Sequence, residues 1–153
     1  MQAVFSVSPN YALATASSNL IYKDSRDMAF FKNLTVGGVI VAGSRTAKTL
    51  TNGLPSRECL SIGKTLVPNW EQTDITNIPK TAYVIGGAYT INSLLNRIDM
   101  FWVSHFFAQA SNERCFLSED VISVLHHSDK RTVLECESFR IIQYQRSIQL
   151  FKD

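Results

Sequence analysis

An acidic side chain set among apolar neighbours can do chemistry, and in this sequence that residue is Asp27. It lies in the stretch N-L-I-Y-K-D-S-R-D-M-A-F-F-K-N-L, Asn19 to Leu34. Asp24 or Ser25 can cap a helix over about Ser25 to Leu34, because a short side-chain oxygen there accepts an orphan backbone N–H. Asp27, Phe31 and Leu34 then share a face by i, i+4 and i, i+7 spacing. A carboxylate beside two large apolar groups loses hydration and seeks a cationic or N–H-bearing partner. The plainer alternative is a first-turn residue favoured only by the helix dipole.

Two other stretches are suited to gripping phosphate. Val39 to Val41 is a β-branched run fit for a buried parallel strand, followed by Gly43-Ser44-Arg45-Thr46 and a short helical stretch, Ala47 to Leu50. Thr81 to Ile85 reads as a strand running into Gly86-Gly87, with helical character over Ala88 to Leu95. A strand ending in glycine before a helix offers free N–H groups and a favourable dipole to an anion. Such turns occur in any α/β fold, so each alone is a weak signal. Metal chemistry finds no support. Cys59, Cys115 and Cys136 are an odd number without ligand spacing and read as reduced thiols of a cytosolic protein. His126-His127 has no suitably spaced cysteine or carboxylate and reads as a loop or strand-edge feature.

These groups need a frame. Ala3 to Val7 is a strand ending at the turn Ser8-Pro9-Asn10, and Tyr11 to Ser18 reads as a loop. Val36-Gly37-Gly38 is a turn, Thr51 to Arg57 is turn-rich, and Glu58 to Ile62 is the next strand. Lys64 to Pro79 is polar and irregular, Met100 to Phe107 is an interior strand, and Ser111 to Ser118 is a polar connection. Thr132 to Glu137, Ser138 to Tyr144 and Ser147 to Phe151 read as short antiparallel strands. The sum is an α/β fold, a central mostly parallel sheet flanked by helices with an antiparallel C-terminal edge. The 153 residues suit a single domain, 1–153. Net charge is +2, too small to argue for nucleic acid or an anionic membrane. No apolar run approaches the roughly 18 residues of a membrane span. The start, M-Q-A-V-F-S-V-S-P, lacks a basic region, so no signal peptide and a cytoplasmic location are expected.

The order and spacing of several blocks resemble dihydrofolate reductase over nearly the whole chain. V-F-S-V-S-P-N resembles the family's opening strand, D-M-A-F-F-K its first helix, and V-I-V-A-G-S-R-T its first cofactor turn. G-L-P-S-R resembles the segment whose arginine holds the substrate's glutamate tail, and V-I-G-G-A the double-glycine turn. F-W-V-S-H-F and a late F-R-I-I-Q-Y complete the pattern. The resemblance implies NADPH-dependent reduction of 7,8-dihydrofolate to tetrahydrofolate by a monomer that also binds antifolate inhibitors. It implies catalytic roles for Asp27, Tyr22 and Ser104, with Asp27 orienting the pterin ring, Ser104 bonded to it, and Tyr22 holding a water. Phe5, Ser6, Met28, Phe31, Leu50, Leu54 and Ile85 would wall the substrate, and Arg57 would pair with its tail carboxylate. Val7, Leu13, Gly43, Ser44, Arg45, Thr46, Gly86, Gly87, Ala88, Tyr89 and Thr90 would hold the cofactor. Lys64 would lie near the adenosine 2′-phosphate, and the Gly86-Gly87 bond would be cis.

The chain also departs from the family pattern. Ala14 and Ile21-Tyr22 stand where a glycine and Pro-Trp are usual. Ala88 replaces a third glycine, Ile91 an aromatic, and Asn52 a common basic residue. These features imply a divergent member; a phage or mobile element is one source that would fit. Two other readings follow. A pteridine or pyrimidine reductase would leave Arg57 without a tail to bind. A binding or structural module that has lost turnover would suit the altered loop.

Overall fold

The computed structural model describes residues 1–15 and 22–147. Apolar runs too short for helices become buried strands, and the polar, glycine-bearing joints between them become turns. Among the described residues the strands are β1 (Gln2–Val7), β2 (Ala12–Thr15), β3 (Val39–Gly43), β4 (Glu58–Ile62), β5 (Glu71–Thr73), β6 (Tyr83–Gly86), β7 (Met100–Phe106), β8 (Glu113–Phe116), β9 (Asp129–Glu135) and β10 (Phe139–Gln145). The helices are α1 (Ser25–Thr35), α2 (Ser44–Lys48), α3 (Ala88–Ser93) and α4 (Glu119–His126).

Eight strands form one sheet in the order β5-β4-β3-β6-β1-β7-β10-β9. β5 through β7 run parallel, and β10 is antiparallel to both β7 and β9. The mostly parallel sheet with an antiparallel C-terminal edge is therefore as the sequence implied. Central strands buried on both faces explain the continuous apolar runs. In β7 Phe101 and Val103 are fully buried, and they pack with Val84 of β6 and Ile91 of α3 in the largest core cluster.

Some elements differ from expectation. Within Tyr11 to Ser18, residues 12–15 form β2 rather than loop, and within Ser111 to Ser118 residues 113–116 form β8. The two pair antiparallel, Ala12 opposite Phe116 and Ala14 opposite Arg114. Their stability comes from a partner distant in sequence, which small residues such as Ala12 and Ala14 do not announce. The irregular stretch Lys64 to Pro79 contains β5 and a 3₁₀ turn, Ile75–Asn77, capped by Asp74. Helix α2 begins at Ser44, directly after the glycine, and not at Ala47. Helix α3 ends at Ser93, with Leu95–Arg97 continuing as a 3₁₀ turn. The histidine pair is not a loop or strand edge: His126 ends α4 and His127 caps it. The expected strand Ser147 to Phe151 lies, apart from Ser147, outside the described residues, as does Ile21. No described helix is long and apolar enough to cross a membrane.

Candidate active site

Helix α1 starts where the sequence suggests. The Asp24 side chain accepts a hydrogen bond from the Arg26 backbone N–H at 2.9 Å, which fixes Asp27 in the first turn. Asp27 meets Ser104 of β7, whose Oγ donates to its Oδ1 at 2.5 Å. Burial raises the Asp27 carboxyl above the ordinary carboxylate range; the Ser104 hydrogen bond opposes this, and the charge of Asp24 adds to it. The desolvation argued from its apolar neighbours is therefore the largest effect on this group.

A cavity of about 1540 Å³ opens beside Asp27. It lies at the carboxyl ends of β3, β4, β5 and β6, where open parallel sheets ordinarily receive ligands. Asp27 and Ser104 are in its wall, as are Phe5 and Ser6 of β1 and Met28 and Phe31 of α1. Leu50, Leu54, Arg57 and Ile85 extend the same wall. Arg57 is held in place: its Nε donates to the Pro55 carbonyl at 3.0 Å and its Nη1 to Thr35 Oγ1 at 3.1 Å. Thr35 is fully buried and donates in turn to the Phe31 carbonyl, while the guanidinium lies 5.7 Å from the Phe31 ring centroid. Trp70 and Asn69 support the far wall by donating to the carbonyls of Leu50 and Thr51 at 2.7 Å each.

The two glycine turns line the rest of the cavity. Leu13 contributes from β2, Gly43, Ser44, Arg45 and Thr46 come from the first turn, and Gly86, Gly87, Ala88, Tyr89 and Thr90 come from the second. Lys64 stands just past β4. The turns are interlocked. A Cβ on Gly43 would come within 2.6 Å of Thr90 Oγ1, and one on Gly86 within 3.3 Å of Thr46 Oγ1. Gly86 also has φ +151°, and the Gly86-Gly87 bond is cis. Bare backbone here leaves N–H groups accessible to a phosphorylated ligand.

Two expected site residues lie elsewhere. Val7 is fully buried in the main core and does not line the cavity. Tyr22 is also outside the wall. Its ring stacks on Phe106 at 4.3 Å and 7°, and its hydroxyl donates to the Ala108 carbonyl. A nearby ring face and a carbonyl hold both parts of this side chain, so its hydroxyl does not reach the cavity. Conversely, the wall includes residues that sequence reasoning did not select, among them Gln72, Thr73 and Asp74 around β5 and Cys115 of β8. The Asp-x-Thr start of the 3₁₀ turn was a readable signal for the first group. Cys115 had none, since its place depends on β8 pairing with β2. Among the described residues no cluster of His, Cys, Asp or Glu suits a metal ion.

Comparison with known proteins agrees with this architecture. The family model described as dihydrofolate reductase matches residues 2–131. The dihydrofolate reductase of Bacillus subtilis is 26% identical over 124 residues, covering 70% of this chain and 74% of that protein. The dihydrofolate reductase type 3 of Salmonella typhimurium is 25% identical over 151 residues, covering 81% of this chain and 91% of that one. The solved dihydrofolate reductase from Enterococcus faecalis, complexed with NADP(H) and RAB-propyl, superposes with a TM-score of 0.80 at 16% identity, covering 96% of each chain. That superposition speaks for the fold, whereas the family model spans every residue of the cavity wall. The chain therefore belongs to the dihydrofolate reductase family and is an enzyme of that family.

Proposed function

We propose that this protein reduces 7,8-dihydrofolate to 5,6,7,8-tetrahydrofolate with NADPH, supplying one-carbon metabolism and thymidylate synthesis. The observation that carries the reading is Asp27 on Ser104 in one continuous cavity with Arg57 and both glycine turns. The wall fits a phosphorylated dinucleotide. It has two glycine turns, with no room for a Cβ at Gly43 and a backbone φ of +151° at Gly86, and Arg45 and Lys64 to favour a 2′-phosphate. The NADP(H) complex of the Enterococcus protein supports the same choice of cofactor.

NADPH supplies the hydride when bound; the chain's own residues prepare the acceptor. Asp27 receives the pterin's amino group and ring N–H, and Ser104 fixes the carboxylate's direction. A half-desolvated carboxylate holds a proton in the site more readily than an exposed one, which favours the protonated, more electrophilic ring, with water delivering the proton. Phe31 and Leu54 cover the aminobenzoyl group. Arg57, preset by Thr35 and Pro55, receives the tail carboxylate. Antifolate inhibitors would occupy this same half of the cavity.

The test is NADPH oxidation with and without dihydrofolate. Oxidation that depends on dihydrofolate, is slower with NADH, and loses affinity for dihydrofolate but not NADPH in Arg57→Ala supports the proposal. Turnover of an unconjugated pteridine with no effect of Arg57→Ala would point to a pteridine reductase. Binding of both ligands without oxidation would point to a module that has lost turnover.

A further inference from the structure

Three successive positions on one face of β7 meet α1 and the residues just before it. Trp102 faces Phe30 at 5.9 Å between ring centroids, Ser104 bonds Asp27 at 2.5 Å, and Phe106 stacks on Tyr22 at 4.3 Å. Asp27 is thus the polar rung of a ladder whose outer rungs are aromatic. Beyond Phe106 the stack continues. Phe139 of β10, paired directly with Phe106, lies 4.9 Å from it, and the Arg26 guanidinium covers Phe139 at 5.5 Å.

Arg26 holds two carboxylates at once. Its Nε and Nη2 donate to Asp24 at 3.2 and 3.0 Å, and its Nη1 and Nη2 donate to Glu137, between β9 and β10, at 3.0 and 2.9 Å. Asp24 caps α1, so the fork joins the helix start to the C-terminal hairpin. We infer that the Tyr22–Phe106–Phe139–Arg26 stack is a positioning device that seats the first turn of α1 so that the Asp27 carboxyl rests on Ser104. Tyr22 and Arg26 serve the reaction through Asp27, without touching substrate. Single surface ion pairs constrain little, but a fork with two two-point contacts, lying over a ring, fixes distance and direction together.

The inference rests on the reading of Asp27 as the substrate-facing carboxylate, and the experiment separates the two. The Asp27 carboxyl is titrated by carbon NMR, a readout independent of turnover, in parent, Arg26→Gln, Arg26→Lys, Glu137→Gln, Tyr22→Phe and Tyr22→Leu. The charged group acting on Asp27 is Asp24, the cap of its helix, itself paired with Arg26, and β7 opposes it with the neutral Ser104. Burial outweighs Asp24 as the cause of the raised carboxyl, so unseating the turn should bring its titration down towards the ordinary range. We expect this in Tyr22→Leu, which changes no charge, with kcat several-fold lower and KM for NADPH unchanged; Arg26→Gln should lose kcat alike, while its titration falls less because Asp24 loses its counter-charge. Arg26→Lys should fall between, and Glu137→Gln, a change at an exposed side chain, should move part-way. Tyr22→Phe keeps the ring, gives up the Ala108 hydrogen bond, and should lose much less than Tyr22→Leu. An unmoved Asp27 titration in Arg26→Gln, Glu137→Gln and Tyr22→Leu overturns the inference. So does a loss in Tyr22→Phe equal to that in Tyr22→Leu, which would assign the work to the hydroxyl. If the parent reduces no dihydrofolate, the functional reading fails while the titrations still decide the clamp.

Discussion

At the scale of the residue, burial of Asp27 sets activity against stability. The folded protein binds this carboxyl's proton more tightly than the unfolded chain does, because desolvation disfavours the charge. Folding is therefore weakened as pH rises from the ordinary value of 3.8 through the raised one, and at neutral pH the ionised group is a cost. Asp27→Asn removes that cost and keeps an oxygen for the Ser104 hydroxyl. It should raise the melting temperature at pH 7, with a stability gain of about 0.5–2 kcal/mol, the usual range for relieving a functional site. The same variant should lose roughly 100-fold or more of its hydride-transfer rate at neutral pH. It should recover part of it as pH falls and more dihydrofolate is protonated in solution, with the parent gaining less over that range. Parallel melting curves and pH–rate profiles measure both effects. A variant that is fully active at pH 7, or less stable there than the parent, contradicts this account.

At the scale of the element, the two glycine turns act as one unit because Gly43 and Thr90 touch. A methyl group on Gly43 would sit 2.6 Å from Thr90 Oγ1 and force β3 and α3 apart. Gly43→Ala should therefore weaken NADPH by at least about tenfold, roughly 1.4 kcal/mol, with little effect on dihydrofolate. Adding Thr90→Ala, which clears the space, should restore part of the affinity; strict additivity of the two losses in fluorescence titrations would show that the contact is not the cause. These turns, the cap at Asp24 and the face shared by Asp27 and Phe31 were legible because each is written within a few adjacent residues. Elements that depend on distant partners were not. β2 and β8 carry weak strand signals and exist through each other, so Cys115 could not be assigned to the cavity wall. β5 is only three residues long and owes its place to β4. Helix α4 was within reach, since Ser118 caps it and Val121 and Leu125 are buried at i, i+4, but its eight residues are rich in β-branched types that blur helical period. Tyr22 shows the limit at the site: position in sequence brought it near Asp27, but the direction of its ring was decided by Phe106.

At the scale of the whole molecule, β7 carries opposite electrostatic designs on its two faces. Ser104 faces Asp27, and the next residue, His105, points to the other side of the sheet. There its Nε2 meets the Tyr144 hydroxyl at 2.7 Å, and the Tyr11 ring packs edge-on at 6.3 Å. Burial, with a smaller contribution from Arg140 on the neighbouring strand, lowers the His105 pKa from the ordinary 6.5 to about 4. The Tyr144 phenol, pushed up to about 12 chiefly by burial, stays protonated and can donate to the neutral ring. A group with a depressed folded pKa stabilises the fold above its unfolded value, and that stability is lost as pH falls from about 6.5 towards about 4. Asp27 acts with the opposite sign, since acidification relieves its buried charge in the window above 3.8. Melting temperature between pH 7.5 and 4 should therefore separate the two faces of one strand. His105→Gln, which keeps a polar partner for Tyr144 but does not titrate, should flatten the acid loss of the parent. Asp27→Asn should steepen it, because the compensating gain is gone. A parent slope unchanged by His105→Gln would show that His105 charges in the folded protein as easily as in the unfolded chain, and that acid sensitivity arises elsewhere.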